Sequence, residues 1–268
     1  MRNRKLTTLL SIAGSDPLGG AGIQTDIKCG SVLGLHVVTA ITSVTVQNSK
    51  AFSEINPVPS HLLSSQLDAI FEDVIPTAIK IGLVGSTDNI KVIARVIEKY
   101  PDIPVVIDPV LLPTKYHGNI DDFNKIIAYY RKYLFPLATV ITPNFLEVKK
   151  FFNVKNWNEL NLRNTLQEFH IKSLVITGLN SKEREIKDLL LTDNSAVIIS
   201  HKKYDCINLH GTGCAFSSFM ASFLAKGMSL KKSFIHTVLK MDKILSKSSF
   251  YSLGSSTYGP LNINDYKY

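Results

Sequence analysis

Thr7-Thr8-Leu9-Leu10-Ser11-Ile12-Ala13-Gly14-Ser15-Asp16-Pro17-Leu18-Gly19-Gly20-Ala21-Gly22 decides the fold. Residues 7–12 are short, apolar and partly β-branched, and read as a buried strand. Residues 21–33 carry helical spacing, so the stretch is a strand, a glycine-rich loop and a helix in succession. Four glycines let a backbone approach a flat ligand closely; the same glycines also suit a plain flexible joint. The basic start, Met1-Arg2-Asn3-Arg4-Lys5, imitates a secretory leader, but the apolar part is short and broken by Thr7, Thr8 and Ser11. It reads better as the first strand of a cytoplasmic protein.

Outward from this unit the alternation continues. Strands are expected over 37–46, 52–58, 78–84, 104–107, 139–142, 174–177, 186–191 and 196–199. Helices are expected over 60–73, 87–100 (with Thr87 as N-cap), 121–134, from 145, 213–226 and 230–248. Short apolar strands alternating with amphipathic helices predict an α/β fold with a mainly parallel central sheet and helices on both faces. No repeat or linker divides residues 1–268, so a single domain is expected. Ligands in such sheets sit outside the carboxyl ends of the strands, which directs attention to the loops after Ile12, Ile107, Ile141 and Val175.

Composition removes several classes. A hydrophobic fraction of 45% over 268 residues supports a large core, and no stretch approaches the roughly 20 apolar residues of a membrane span. Three cysteines (Cys29, Cys206, Cys214) without a CxxC pair, and seven histidines without ligand spacing, argue against a disulfide framework or a structural zinc. The net charge of +8 comes from scattered lysines with no basic run interleaved with aromatics, which reads as solvated surface rather than a nucleic-acid face.

The second chemical stretch is His210-Gly211-Thr212-Gly213-Cys214, joined to the apolar run Ala215-Phe216-Ser217-Ser218-Phe219-Met220-Ala221. A glycine turn at a helix start aims several N–H groups at one point, and the helix dipole adds positive potential, making an anion site suited to phosphate. The same field predicts a depressed pKa for Cys214; the alternative is a tight turn with Cys214 as a buried hydrophobe. Gln47, ending a strand, offers a donor and an acceptor side by side that could pair with an aminopyrimidine, or is only a solvated strand end. Asp108, closing a buried strand, could hold Mg²⁺ or cap a turn. Asn144 and Glu147 share one face of a helix start, as a capping box or as a metal and phosphate element. Thr177-Gly178 could touch a nucleotide phosphate. Neither G-x-G-x-x-G nor G-x-x-x-x-G-K-[ST] occurs, which excludes a P-loop nucleotide site.

Taken together, Ala13-Gly14-Ser15-Asp16-Pro17 with Gly19-Gly20-Ala21-Gly22-Ile23-Gln24, Ala40-Ile41-Thr42 with Gln47-Asn48, Lys80-Ile81-Gly82, Asp108-Pro109-Val110, Thr142-Pro143-Asn144 with Glu147, and His210-Gly211-Thr212-Gly213-Cys214 occur in one order over almost the whole chain. This set resembles the hydroxymethylpyrimidine/phosphomethylpyrimidine kinases of thiamine biosynthesis, within the ribokinase-like superfamily. The resemblance implies a ribokinase-like fold, often dimeric, with ATP and Mg²⁺. It puts Gly14, Asp16, Ala21, Thr45, Gln47 and Val110 around the pyrimidine, and Asn144, Glu147 and Thr177 at the nucleotide. It puts Asp108 and Glu147 near the metal, Gly211, Thr212 and Gly213 at the transferring phosphoryl group, and Cys214 where related sugar kinases carry an aspartate base.

The chain departs from the family pattern at Leu18, in place of a small polar residue. It departs again at Leu111-Leu112-Pro113-Thr114-Lys115-Tyr116-His117-Gly118, where the lysine is displaced by one position, and at Thr177-Gly178-Leu179-Asn180. Pyridoxal or pyridoxine kinases of the same superfamily are the nearest alternative, and a non-catalytic ligand-binding protein on a kinase fold is the alternative of another class.

Overall fold

The computed structural model describes residues 6–110, 117–118, 121–154, 158–179, 185–205, 208–248, 253 and 259–264. Among these, strands β1 (Thr8–Ser15), β2 (His36–Gln47), β3 (Phe52–Pro57), β4 (Ala78–Ile81), β5 (Val105–Ile107), β6 (His117–Gly118), β7 (Val140–Ile141), β8 (Ser173–Leu179), β9 (Glu185–Thr192) and β10 (Ala196–Lys202) form one sheet. Its order is β10-β9-β8-β7-β5-β4-β1-β2-β3-β6. The six central strands from β8 to β2 run parallel, while β3 pairs antiparallel with β2, β9 antiparallel with β8 and β10 antiparallel with β9; the edge strand β6 pairs parallel with β3. After β1 the chain builds β2 on one side and β4 on the other, so the strand order reverses at β1. Such a switch point opens a crevice at the carboxyl ends.

Helices α1 (Gly22–Val32), α7 (Thr212–Ala225) and α8 (Leu230–Lys247) cover one face; α2 (Ser60–Asp73), α3 (Thr87–Ile97), α4 (Phe123–Tyr129), α5 (Phe145–Phe152) and α6 (Glu159–Glu168) cover the other. Successive strand residues point to opposite faces: Leu9, Ala78 and Val106 join the α7–α8 core, whereas Leu10, Ile79 and Ile107 join the α2–α6 core. The same alternation puts Lys80 on the Ala78 face, beneath α1 and α7. No helix among the described residues is long and apolar enough to cross a membrane.

Some boundaries differ from expectation. β1 runs on to Ser15, with its register shifting between Ala13 and Ser15 and Ser15 paired to Val44. The N-cap of α3 is Ser86, not Thr87: Ser86 Oγ accepts the Asn89 N–H at 3.1 Å. Thr87 instead gives both its N–H and its hydroxyl hydrogen to Asp121 Oδ2, each at 2.6 Å. The helix expected over 121–134 is α only to Tyr129, then widens into a π turn at Tyr130–Leu134 before Pro136, which cannot donate to a helical ladder. Helix α6 was not expected. Its sequence ELNLRNTLQE is polar, and it buries chiefly Leu162 and Leu166, four residues apart, behind an Asn158 cap.

Candidate active site

The loop after β1 is organised by one carboxylate. Asp16 Oδ1 accepts the Leu18 N–H at 2.8 Å, and Oδ2 accepts those of Gly20 and Ala21 at 2.9 and 2.8 Å. The same Oδ2 lies 2.9 Å from His210 Nε2, tying the loop to the start of α7. Burial pushes the Asp16 carboxyl up, but the His210 and loop-amide hydrogen bonds outweigh it and hold it below the usual carboxylate range. Gln24, in the first turn of α1, accepts the Asp16 N–H at 2.9 Å and donates to Ser15 Oγ at 2.8 Å.

The second glycine loop packs against the first, backbone to backbone. Gly211 caps α7 with φ +83°, and a Cβ there would overlap the carbonyl oxygen of Gly20. Only glycine meets both demands. Thr212 turns its hydroxyl back to the Leu209 carbonyl at 2.7 Å. The Gly213 and Cys214 amides at the helix start have no protein acceptor among the described residues, so they are available to an anion.

Cys214 is half-buried and lies above a network of buried charges. Gly22 N–H hydrogen-bonds its sulfur, and Asp108 lies next to it. Asp108 is 3% exposed and accepts from Ser217 Oγ at 3.1 Å. Behind them Lys80 Nζ lies 3.0 Å from both oxygens of Asp26, with neither side chain exposed. Asp26 also accepts from Ser11 at 2.5 Å and from Ser218. Burial opposes the Lys80 charge, but Asp26, Cys214 and Asp108 outweigh it and raise its pKa.

This network corrects the expectation for Cys214. Burial pushes its thiol up to about 12; Lys80 pulls it down, but Asp108 and Asp26 push it up again. The helix-terminal field is real, but two carboxylates from distant parts of the sequence and the loss of water overcome it. The buried pair was missed altogether. Its signal was a single lysine inside the apolar strand Ala78-Ile79-Lys80-Ile81, where a buried ammonium requires a carboxylate partner.

A cavity of about 430 Å³ opens between the two glycine loops and the end of β2. Gly14, Asp16, Ala21, Thr45, Gln47, Val110 and Cys214, all expected at the site, line it. Leu18, Phe52 and Leu83 add apolar surface, and His210 a polar edge. Thr45 and Gln47, two apart on β2, share its inner face, while Val44 and Val46 are about half exposed on the other. Gln47 Nε2 donates to Thr45 Oγ1 at 3.0 Å, and Thr45 Oγ1 donates to the Ser15 carbonyl at 2.9 Å.

Asn144, Glu147 and Thr177 stand farther along the same sheet edge, after β7 and in β8, and do not line this cavity. Asn144 Oδ1 accepts the Glu147 N–H at 3.0 Å, and Glu147 Oε2 accepts the Asn144 N–H at 2.8 Å, a complete capping box. Thr177 bridges to Asn144, and the next residue, Gly178, donates its N–H to Asp188 Oδ1 at 2.9 Å. Among the described residues no group of three or more His, Cys, Asp or Glu could hold a metal ion by itself. The oxygen donors present, Glu147 and the buried Asp108, suit a hard cation that arrives with phosphates and keeps part of its water. Residues 111–116, with Lys115, and Asn180 and Cys206 lie outside the described residues.

A family model described as phosphomethylpyrimidine kinase matches residues 16–249. The chain is 32% identical over 260 residues to the hydroxymethylpyrimidine/phosphomethylpyrimidine kinase of Staphylococcus aureus (strain Mu50), covering 94% of this chain and 92% of that protein. The ADP complex of Bacillus subtilis pyridoxal kinase matches the structure with a TM-score of 0.83 at 27% identity, covering 96% of this chain and 97% of that one. Phosphomethylpyrimidine kinase from Clostridium difficile 630 matches with a TM-score of 0.74 at 29% identity, covering 88% and 98%. The mainly parallel sheet with helices on both faces is the fold of these neighbours, as the resemblance implied. A match running from the first glycine loop to the end of α8, beside a relative alike over nearly its whole length, means that the chain belongs to the phosphomethylpyrimidine kinase family.

Proposed function

We propose that the chain transfers the γ-phosphoryl group of ATP to the hydroxymethyl oxygen of 4-amino-5-hydroxymethyl-2-methylpyrimidine, and then phosphorylates the resulting monophosphate. The observation that carries this reading is the meeting of two chemistries at one cavity. Gln47 offers an amide edge to a ring, and Cys214 stands at a helix start whose Gly213 and Cys214 amides lack a protein acceptor among the described residues. The apolar surfaces of Leu18, Phe52 and Leu83 suit a flat heterocycle.

Phosphoryl transfer passes through a loose transition state, so positioning and charge neutralisation carry most of the rate. In this reading the Cys214 sulfur contacts the attacking hydroxyl, and the residues 211–214 receive the transferring group. A sulfur that is still a thiol in the ligand-free protein is compatible with that division of labour. Asn144, Glu147 and Thr177 face the nucleotide; Glu147 and Asp108 would hold Mg²⁺, which neutralises charge between the phosphates when bound. The reading extends to one cytoplasmic kinase domain over residues 1–268 and to a homodimer, for which Val44 and Val46 on the outer face of β2 offer apolar surface.

The similarity to a pyridoxal kinase structure favours one second reading, phosphorylation of vitamin B6 alcohols at the same cavity. Steady-state assays of both substrates with ATP decide. We expect a kcat/KM for the aminopyrimidine at least about tenfold above that for pyridoxal, the value of one matched buried hydrogen bond. Equal efficiency, or a preference for pyridoxal, overturns the pyrimidine reading.

A further inference from the structure

The cavity carries a polarity that its lining alone does not reveal. Thr45 Oγ1 has one hydrogen, and it goes to the Ser15 carbonyl, which can only accept. Toward Gln47 the same oxygen can therefore only accept. Gln47 must turn its NH₂ group, not its carbonyl, to Thr45, independently of how amide nitrogen and oxygen are distinguished. The Gln47 Oε1 has no partner among the described residues. Ser15 is itself fixed: it sits in the β1–β2 ladder opposite Val44, and Gln24 donates to its hydroxyl.

We propose that Thr45 is a specificity-determining residue: through Ser15 it locks the Gln47 amide in one orientation, so that the site selects rings with a donor at position 4 and an acceptor at the adjoining ring nitrogen. The proposal rests on the pyrimidine reading above and adds to it the residue that sets the sign of recognition. With the lock in place, Oε1 accepts from an exocyclic amine, and the second Nε2 hydrogen meets a bare ring nitrogen. A 4-oxo ring, with a carbonyl at position 4 and a hydrogen on the neighbouring nitrogen, presents the reverse pattern. Two like-signed pairs then face each other beside the buried Thr45, and each unmade hydrogen bond there is costly.

The test compares the 4-amino substrate with 5-hydroxymethyl-2-methylpyrimidin-4-one in the parent, Thr45→Val, Thr45→Ala and Thr45→Ser. We expect the parent to prefer the amino compound by roughly a hundredfold or more in kcat/KM, the sum of two mismatched contacts. Thr45→Val lets the Gln47 amide rotate and brings the ratio below about tenfold, the loss of one oriented contact. Thr45→Ala does the same with less bulk in the strand, and Thr45→Ser, which keeps the hydroxyl, retains the preference. A parent ratio near one, an unchanged ratio in both Thr45→Val and Thr45→Ala, or loss of the preference in Thr45→Ser overturns the lock while leaving the pyrimidine reading in place. A parent that phosphorylates neither ring overturns that reading, and the lock falls with it.

Discussion

Replacing Asp26 by asparagine tests the ion pair beneath the site. The substitution keeps the shape and the acceptor for Ser11 or Ser218, but removes the carboxylate paired with Lys80 at 3.0 Å; both side chains are fully buried. A buried ion left without its partner costs about 3–5 kcal/mol, so the folding equilibrium should fall by roughly a hundred- to several-thousandfold. That is a large share of the ~5–15 kcal/mol that holds a typical native protein together. Urea unfolding followed by circular dichroism reads the loss directly. The second arm removes the stranded charge: Asp26→Asn with Lys80→Met should be less damaged than Asp26→Asn alone, because a buried pair replaced by neutral groups is often close to neutral in stability. The pair raises the Lys80 pKa, so the parent's stabilisation is complete below the ordinary lysine value and is lost only as alkali titrates the folded ammonium. The cost of Asp26→Asn should therefore persist throughout the neutral range. Asp26→Asn within about 1 kcal/mol of the parent, or a double variant weaker than the single, would refute this account of the network.

Cys214, pushed up to about 12 from 9.0, should hold about a thousandfold less thiolate near neutral pH than an unperturbed thiol. Alkylation by iodoacetamide, followed on the Cys214 peptide, should be correspondingly slow in the ligand-free protein and accelerate into alkali; rapid labelling at neutral pH would show a depressed pKa after all. Glu147→Ala should cost about 0.5–2 kcal/mol of stability by opening the capping box, and should also raise KM for the metal–ATP complex. Thermal melts and ATP titrations measured together check this: a lower melting temperature with an unchanged KM would confine Glu147 to its cap.

The alternation of short apolar strands with period-3.6 segments made the layered α/β sheet legible, because the central strands and most helices pack strongly apolar residues. Helix α6 escaped because its face consists of little more than Leu162 and Leu166 in a polar sequence, and long-range packing rather than pattern holds it. The two glycine loops were readable because their constraints are local. The Asn144–Glu147 box was equally plain, and the structure realises the capping half of that reading. What could not be read was anything set by distant partners. The Thr87 hydrogens went to Asp121, and the Cys214 thiol rose because burial strips it of water, with Asp108 after β5 and Asp26 on α1 adding to the rise. A helix-dipole argument made on five consecutive residues has no access to those charges.

The His210–Asp16 bond joins residues 194 positions apart, and the backbone N–H of His210 is itself held by the Gly259 carbonyl at 3.1 Å. The cavity is thus assembled from the loop after β1 and from the start of α7, far apart in the order of synthesis. A nascent chain can lay down β1, β2 and β4 early, yet the floor of the site arrives only with α7, and its brace only with residues 259–260. Loop closure over such a separation is a late and slow event in folding. Substrate cannot act as a scaffold for a chain that stops short of α7, and binding becomes a report that synthesis has passed residues 259–260.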